Sequence, residues 1–307
     1  MPRSLVYNRQ GGIDVLELVE VTSPDPQPGT ALVSIKAAGL NPFDFKLRSG
    51  IIPMPVEFPK GIGTDFAGVV EAVGADTNYA DGTAILLGDE VLGWCDSGSL
   101  CEKAVVPATT MTKKPQGLSW ELAGSLTTAA LTAQAAIDLM KPAPGDTIVV
   151  SAAAGAVGLV YCQLALRAGA RVIGTASQAN HDYLRALGVE PVTYGADLAE
   201  KLTQIAPEGI SYVQDNWGRE FIDVALSIGI APEKICTIVD HAATAELGLS
   251  NPGRYERSTT TLHALAEQFS LGELVLPIQQ VFSLDDFAKA FALLESRHLR
   301  GKVVITP

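Results

Sequence analysis

The sequence predicts an α/β protein of two domains, one rich in β-strands and one built on a doubly wound parallel sheet. Short apolar segments separated by Pro and Gly fill the first 120 residues, and few helical periods appear before Trp120. Strand and helix patterns alternate after that point. Neighbouring parallel strands need a crossover connection, so this alternation predicts a parallel sheet with helices on both faces. A small-residue turn with two glycines lies between a strand and a helix near the start of the second region.

The predicted elements form three groups along the chain. The first group consists of strands at 31–37, 66–73, 90–94 and 103–106. A helical stretch at 119–140 opens the second group, which continues with strands at 147–151, 171–175, 211–214 and 234–239 and helices at 156–168 and 179–187. A last helix at 284–296 and a strand at 302–306 are predicted to return to the first domain. The predicted domains are therefore 1–120 with 268–307, and 121–267.

The composition indicates a globular protein. The 307 residues are 47% hydrophobic and 18% charged, and no apolar run reaches the roughly 18 residues that cross a bilayer. The chain start lacks the features of a secretory signal, so we expect a cytoplasmic protein with no membrane partner. The net charge of −12 argues against nucleic acid as a partner. Four scattered cysteines predict neither a disulfide framework nor a zinc ribbon.

The most informative segment is the turn at 148–158, IVVSAAAGAVG. Aligned with the G-x-G-x-x-G pattern, it places Ala153, Gly155 and Gly158 at the three glycine positions. Gly155 would let the backbone approach a pyrophosphate, and Gly158 would let the helix sit close to the strand. The free amides at the helix start favour negative charge. The residues predicted to bind the cofactor here are Ala153, Ala154, Gly155, Ala156, Val157 and Gly158.

The next strand predicts which cofactor is bound. An NAD-specific site usually has an acid about 20 residues after the glycines, on the ribose 2′-hydroxyl. Here no carboxylate follows the strand until Asp182. Ser177 and Asn180, with His181 as a further donor, could instead bind a 2′-phosphate. We therefore expect NADPH rather than NADH, with modest discrimination because the first cation is Arg185.

The whole chain resembles the zinc-independent quinone oxidoreductase and enone (alkenal) reductase branch of the medium-chain dehydrogenase/reductase superfamily. The segment GLNPFDFKLRSG at 39–50 is similar to the family's G-x-N-P-x-D-x-x-x-R-x-G, and GTDFAGVV at 63–70 to its G-x-D-x-A-G-x-V strand. The segments 130–133, 276–285 and 301–304 also resemble family motifs. This resemblance implies a GroES-like catalytic domain, a Rossmann domain, the cofactor between them, and a homodimer. Strands at 234–239 and 273–276 are the predicted dimer edges.

The resemblance also implies catalysis without zinc. Zinc-dependent members have Cys at the position of Asn41 and G-H-E where this chain has 63–65, and neither Asn nor Thr supplies a thiolate or an imidazole. Another group must then stabilise the negative charge that develops on the substrate oxygen. Asn41 and Lys46 are the predicted donors, with Lys46 alternatively a cofactor ligand or a solvated loop residue. Tyr255 is a predicted proton donor, with solvent as the alternative. Asp44 and Arg48 are expected to be structural and to pair within their loop.

Three further residues are predicted to contact the cofactor. Thr132 lies in the helix that borders the nicotinamide in the family. Asn216 follows a strand and either faces the nicotinamide ribose or caps a helix. Lys302 belongs to a family motif near the cofactor, or is part of a turn that enters a strand.

These residues predict an NADPH-dependent reductase of quinones or α,β-unsaturated carbonyls. The alternatives are a zinc-free alcohol or aldehyde dehydrogenase-like enzyme and a non-catalytic NADPH-binding sensor. The sequence does not separate quinone from enone substrates.

Overall fold

The computed structural model describes residues 1–23, 25–96, 98–253 and 257–307. The chain forms two compact units, which are called here the first unit, Met1–Thr128 with Arg257–Pro307, and the second unit, Ala129–Glu256. The first 128 residues supply eight strands in the part that the structure describes, and two helices. They are β1 (Arg3–Tyr7), β2 (Leu16–Glu20), β3 (Thr30–Gly39), α1 (Pro42–Arg48), β4 (Lys60–Gly61), β5 (Asp65–Val73), β6 (Glu90–Trp94), β7 (Lys103–Pro107), β8 (Met111–Lys113) and α2 (Trp120–Ala123).

The predicted helical stretch at 119–140 is two helices, α2 and α3 (Thr127–Met140). The break lies at Gly124, whose carbonyl accepts a hydrogen bond of 2.8 Å from the Gly39 amide at the end of β3. A Cβ on Gly124 would lie 2.3 Å from the carbonyl oxygen of Ala37. Only glycine allows this close approach, so the helical pattern is interrupted where the chain packs on the sheet.

The second unit alternates strands and helices. Its elements are β9 (Thr147–Val150), α4 (Ala156–Arg167), β10 (Arg171–Thr175), α5 (His181–Ala186), β11 (Glu190–Val192), α6 (Leu198–Ile205), β12 (Tyr212–Asp215), α7 (Arg219–Ser227), β13 (Ile235–Thr237) and α8 (His241–Leu247). The strands form a parallel sheet in the order β11-β10-β9-β12-β13. The buried run 148–150 places β9 at the centre, where two strand connections diverge. Ligands of open α/β sheets bind at such a switch point.

The tail consists of α9 (Thr259–Ser270), β14 (Ile278–Ser283), α10 (Phe287–Glu295) and β15 (Lys302–Thr306). β15 pairs with β3 and completes a seven-stranded sheet in the order β14-β15-β3-β5-β6-β8, with β7 also on β3. A three-stranded sheet, β2-β1-β4, accompanies it. Apolar side chains of both sheets and of α10 share one core. The predicted return of the tail and the α/β class with a β-rich and a parallel-sheet domain are confirmed.

The unit boundaries differ from the predicted domain boundaries of 120/121 and 267/268. α2 packs on β3 and β5, and α9 packs on β8, so both helices belong to the first unit. His263 of α9 shows the second contact, with its Nδ1 3.2 Å from the carbonyl oxygen of Lys113. Helical periodicity is local and does not reveal which sheet a helix covers.

The predicted dimer edges are corrected. Residues 273–276 are not in a strand, and β13 is shorter than the predicted 234–239. Its outer side bonds to Ser250, whose amide donates to Ile235 and whose carbonyl accepts from Thr237, so this edge is partly covered. In the described part of the chain, no helix has the length and apolar character that crossing a membrane requires.

Candidate functional site

The glycine turn of the second unit joins β9 to α4. Gly155 is the N-cap of α4, and the first intrahelical bond runs from the Leu159 amide to the Gly155 carbonyl over 2.8 Å. The first-turn amides of Ala156 and Val157 therefore have no carbonyl partner in their own helix. Gly158 is buried, and a Cβ there would lie 2.4 Å from the Ala152 carbonyl oxygen. The turn can hold an anion at a helix start, as the sequence predicts.

At the first glycine position, Ala153 and its neighbour Ala154 are buried. The Ala153 amide donates to the Thr175 carbonyl over 3.0 Å, and the Ala152 amide donates to the Thr175 side chain over 3.2 Å. The turn is thereby fastened to the end of β10. Both hydrogen bonds involve the main chain of the turn, so they do not require glycine at position 153.

Beyond β10 lie the residues predicted to bind a 2′-phosphate. Ser177 and Asn180 are half-buried, and the side-chain NH2 group of Asn180 donates to the Ser177 hydroxyl over 3.3 Å. His181 is buried and lies 3.4 Å from the Ala176 carbonyl oxygen, so it faces the interior and not this pair. The first acid, Asp182, is exposed and pairs with Arg185 at 2.8 Å. No carboxylate stands at the end of β10 itself.

Asp215 organises the loop after β12. Its carboxylate accepts hydrogen bonds from Ser151 at 3.0 Å, from Thr237 at 2.8 Å and from the amides of Trp217 and Gly218 at 2.9 and 3.0 Å. Burial raises the pKa of Asp215, and these donors oppose the rise. The carboxylate ties together the ends of β9, β12 and β13.

Asn216 connects the loop after β12 to the glycine turn. Its side-chain amide donates to the Ser151 carbonyl over 2.8 Å, and its Oδ1 accepts from Gln214 at 3.0 Å. The N-cap of α7 is Gly218, so Asn216 does not cap that helix. The contact of Asn216 with the nicotinamide ribose stays a prediction.

A cavity of about 200 Å³ opens beside this loop, over the ends of β9 and β10. Its lining includes Ser151, Thr175, Phe221 and two half-exposed rings, Tyr194 and Trp217. The two ring centroids are 6.5 Å apart and the ring planes differ by 15°. Neither residue was singled out in the sequence, because a lone aromatic carries no spacing signal.

In the first unit, the predicted catalytic segment forms α1, with Asn41 as its N-cap. Asn41 is 3% exposed, and its backbone amide donates to the Asp44 carboxylate over 2.7 Å. Thr64 donates to the same carboxylate over 3.1 Å. Burial raises the pKa of Asp44 to about 7, against the lowering effect of the Asn41 amide.

The expected pairing of Asp44 with Arg48 is wrong. Arg48 turns away to Glu295 of α10 at 2.7 Å and lies over the Phe291 ring. The motif at 39–50 gave no sign that its arginine would reach α10, because the two segments are far apart in the chain.

Lys302 is the centre of a buried group. Its Nζ donates to the Leu40 carbonyl over 2.8 Å and to Asn41 Oδ1 over 2.7 Å, and it lies 3.7 Å from Asp65 Oδ2. Lys302 is 2% exposed and Asp65 is fully buried. The predicted cofactor contact of Lys302 stays a prediction, and within its own unit the ammonium group is enclosed by three oxygen atoms.

The remaining predicted residues are less constrained by the structure. Lys46 is half-buried in α1, and Thr132 is half-buried in α3 of the second unit. Tyr255 lies outside the described residues. The four cysteines are buried and free. In the described ranges, no group of three His, Cys, Asp or Glu side chains could hold a metal ion.

The comparisons with known proteins agree with this architecture. The model of the alcohol dehydrogenase GroES-like domain matches residues 27–116, and that of the zinc-binding dehydrogenase matches residues 187–305. The solved quinone oxidoreductase from Coxiella burnetii is 30% identical, covers 100% of this chain and 99% of that chain, and superposes with a TM-score of 0.88. The chain belongs to the quinone oxidoreductase branch of the medium-chain dehydrogenase/reductases. The GroES-like and Rossmann domains of this branch are the first and second units.

Two further relatives of this quinone oxidoreductase branch extend the comparison. The quinone oxidoreductase of Pseudomonas aeruginosa is 28% identical to this chain, and the alignment covers 100% of both proteins. The Escherichia coli quinone oxidoreductase, solved in complex with NADPH, is 25% identical with a TM-score of 0.88, over 99% of this chain and 100% of that chain. The resemblance seen in the motifs at 39–50 and 63–70 therefore extends over the full chain.

Proposed function

We propose that this member of the branch is an NADPH-dependent oxidoreductase that reduces quinones or α,β-unsaturated carbonyls by hydride transfer without zinc. The observation that supports it most is the glycine turn after the central strand of the parallel sheet, where two helix-start amides have no carbonyl partner in their own helix. The relatives that carry the name quinone oxidoreductase, one of them in complex with NADPH, support the same assignment.

The second unit would hold the cofactor by its main chain and its rings. The amides of Ala156 and Val157 suit the pyrophosphate, and Gly155 leaves room for its approach. Ser177 and Asn180 would bind the 2′-phosphate, where no carboxylate opposes it. The cavity between Tyr194 and Trp217 would take the adenosine half, since both rings are exposed enough to stack on it. Thr132 stays a predicted neighbour of the nicotinamide.

The first unit would stabilise the charge that appears on the substrate. NADPH supplies the hydride from its nicotinamide ring. Negative charge then accumulates on the oxygen of a quinone or an enone, and a fixed hydrogen-bond donor aimed at that oxygen lowers the barrier. The Asn41 side-chain NH2 is the donor that we favour, and Lys46 remains the second candidate. Solvent or Tyr255 would complete the protonation.

The residues present do not suit a catalytic zinc ion. Asn41 and Thr64 are neutral oxygen and nitrogen groups, whereas catalytic zinc is held by thiolate, imidazole and carboxylate ligands. Thr64 donates to Asp44 and Asn41 accepts from Lys302, so each already has a partner of its own unit. We therefore derive no step through zinc.

A panel of acceptors tests the proposed function. NADPH oxidation by EDTA-treated protein would be followed with quinones, 2-alkenals, cyclic enones and saturated aldehydes. We expect turnover with a quinone or an enone, and none with saturated aldehydes, because hydride addition to them needs stronger polarisation of the oxygen than one amide provides. Turnover with saturated aldehydes alone, or dependence on one zinc per chain, would contradict the proposal.

The oligomeric state and the cellular location of the protein stay predictions. We keep the proposal of a cytoplasmic homodimer, although the edge at β13 is shorter and more covered than the sequence suggested. Sedimentation at micromolar concentration would test it, and a monomer would be the contrary result.

A further inference from the structure

The three oxygen atoms around Lys302 Nζ come from different parts of the first unit. Leu40 and Asn41 stand at the end of β3 and the start of α1, and Asp65 is the first residue of β5. Asp65 is itself held by Thr128, whose backbone amide and hydroxyl both donate to its carboxylate. Lys302 is the first residue of β15, so this strand delivers one cation to the N-cap of α1.

The charge of Lys302 decides how the Asn41 amide is turned. Burial lowers the pKa of Lys302, and the carboxylates of Asp65 and Asp44 oppose that shift. An ammonium group has three donors and no acceptor. The Asn41 atom that faces it must therefore be the carbonyl oxygen, because an NH2 group there would leave two donors face to face.

The NH2 end of Asn41 is consequently turned away from Lys302. It meets the Gly39 carbonyl oxygen at 3.5 Å, which is the far limit of a hydrogen bond. An NH2 group has two hydrogens, and in the described part of the chain no second acceptor is recorded for this one. One hydrogen of the Asn41 NH2 group is thus left to donate to a ligand, and the buried Lys302 ammonium group fixes its position.

We infer that Lys302 is a positioning residue, which fixes the Asn41 amide so that its NH2 group serves as the hydrogen-bond donor for the substrate oxygen. This inference rests on the proposed function. The ammonium group withdraws electron density through the amide carbonyl and makes the NH2 hydrogens more acidic, which strengthens the donor. It also prevents a rotation of the Asn41 side-chain amide that would turn the acceptor Oδ1 toward the developing negative charge of the substrate.

The main test removes the buried charge pair without leaving one ion alone. Lys302→Met combined with Asp65→Asn keeps volume and leaves an acceptor for Thr128, whereas Lys302→Met alone would strand a buried carboxylate. We expect kcat for the best acceptor to fall about tenfold, as for a weakened oxyanion donor, while KM and the NADPH Kd change less than about threefold.

A matched control exists in the same unit. The Lys114 side chain is also only 6% exposed, donates to the Leu118 carbonyl over 2.9 Å and pairs at 2.9 Å with Glu90, whose side chain is 51% exposed. Lys114→Met combined with Glu90→Gln should lower the melting temperature without changing kcat. A loss of kcat in this control equal to that in the Lys302 pair would assign the effect to general destabilisation and overturn the inference.

A double-mutant cycle separates positioning from a second, independent role. Asn41→Ala should cost about a hundredfold in kcat, and adding the Lys302 and Asp65 changes to it should cost nothing more. Losses that multiply instead would show that Lys302 does not act through Asn41.

Asn41→Asp provides a readout that does not depend on the Lys302 pair. It keeps an oxygen for the ammonium group and replaces the NH2 group by a second oxygen. At about pH 8 we expect a melting temperature no lower than that of Asn41→Ala, and a loss of kcat at least as large. Wild-type kcat in Asn41→Asp would overturn the inference. Wild-type protein that turns over no quinone or enone would instead contradict the proposed function.

Discussion

The two units hold their functional groups in opposite ways. The second unit offers main-chain amides at the start of α4 and two half-exposed rings, Tyr194 and Trp217. The first unit relies on buried side chains, with Asn41, Asp65 and Lys302 all nearly inaccessible to solvent. A cofactor that enters and leaves can be bound by exposed groups, whereas a donor that must strengthen only in the transition state benefits from being fixed in advance. The comparison predicts that changes in the second unit mainly affect binding and changes in the first mainly affect rate.

Gly158→Ala should have the largest effect on the second unit. The new Cβ would lie 2.4 Å from the Ala152 carbonyl oxygen, and overpacking of this kind costs about 1–3 kcal/mol of unfolding free energy. Urea unfolding and a fluorescence titration with NADPH would measure stability and affinity together, and both should fall.

Gly155→Ala is the matched change. Its Cβ would be 3.2 Å from the same oxygen, so the fold should tolerate it better while the pyrophosphate loses room. We expect weaker NADPH binding with a smaller loss of stability. A Gly158→Ala protein as stable as wild type would contradict the close contact inferred between position 158 and the Ala152 carbonyl oxygen.

Asp44→Asn should change how the stability of the first unit depends on pH. Burial raises the pKa of Asp44 from 3.8 to about 7, so the folded protein binds this proton more tightly than the unfolded chain does. The resulting contribution to the free energy of unfolding is fully present below pH 3.8 and is lost as the pH rises through 7. From about pH 5.5 to about pH 7 the loss is about 1.6 kcal/mol. Asn mimics the neutral acid and should remove this part of the pH dependence.

Urea unfolding at several pH values would measure that slope. Asp223→Asn, an exposed change in α7, is the control and should keep the wild-type slope. If Asp44→Asn and wild type lose the same free energy over this range, the buried carboxylate is not the titrating group.

Ser177→Asp should have the smallest effect and concerns cofactor choice. A carboxylate at the end of β10 would repel a 2′-phosphate and accept from a 2′-hydroxyl. The ratio of NADPH to NADH affinity should fall about tenfold, which is about 1.4 kcal/mol. Fluorescence titrations with both cofactors measure it, with Ser177→Ala as the uncharged control. An unchanged ratio would place the 2′-phosphate elsewhere.

The difference between main-chain turns and buried side-chain contacts also explains which features could be predicted from the sequence. The glycine turn could be predicted because it depends on residues that are close together in the chain, with Gly155 and Gly158 between a strand and a helix. The contact of Lys302 with Asn41 could not be predicted, because the two residues are 261 positions apart and no spacing rule links them. The contact of Asn216 with Ser151 could not be predicted for a related reason, since Ser151 belongs to another strand end. Motifs thus predicted the fold class and the cofactor turn, while the buried network and the aromatic cavity depend on tertiary contacts.

The measurement that tests the division between the units most directly compares Asn41→Asp with Trp217→Ala. Each protein would be titrated with NADPH and assayed at saturating NADPH with the best acceptor of the panel. The account predicts that the main effect of Asn41→Asp is on kcat, by about a hundredfold, and that of Trp217→Ala is on the NADPH Kd, by about tenfold. If Asn41→Asp weakened NADPH binding as much as it lowered kcat, or Trp217→Ala left the Kd unchanged, the division would be contradicted.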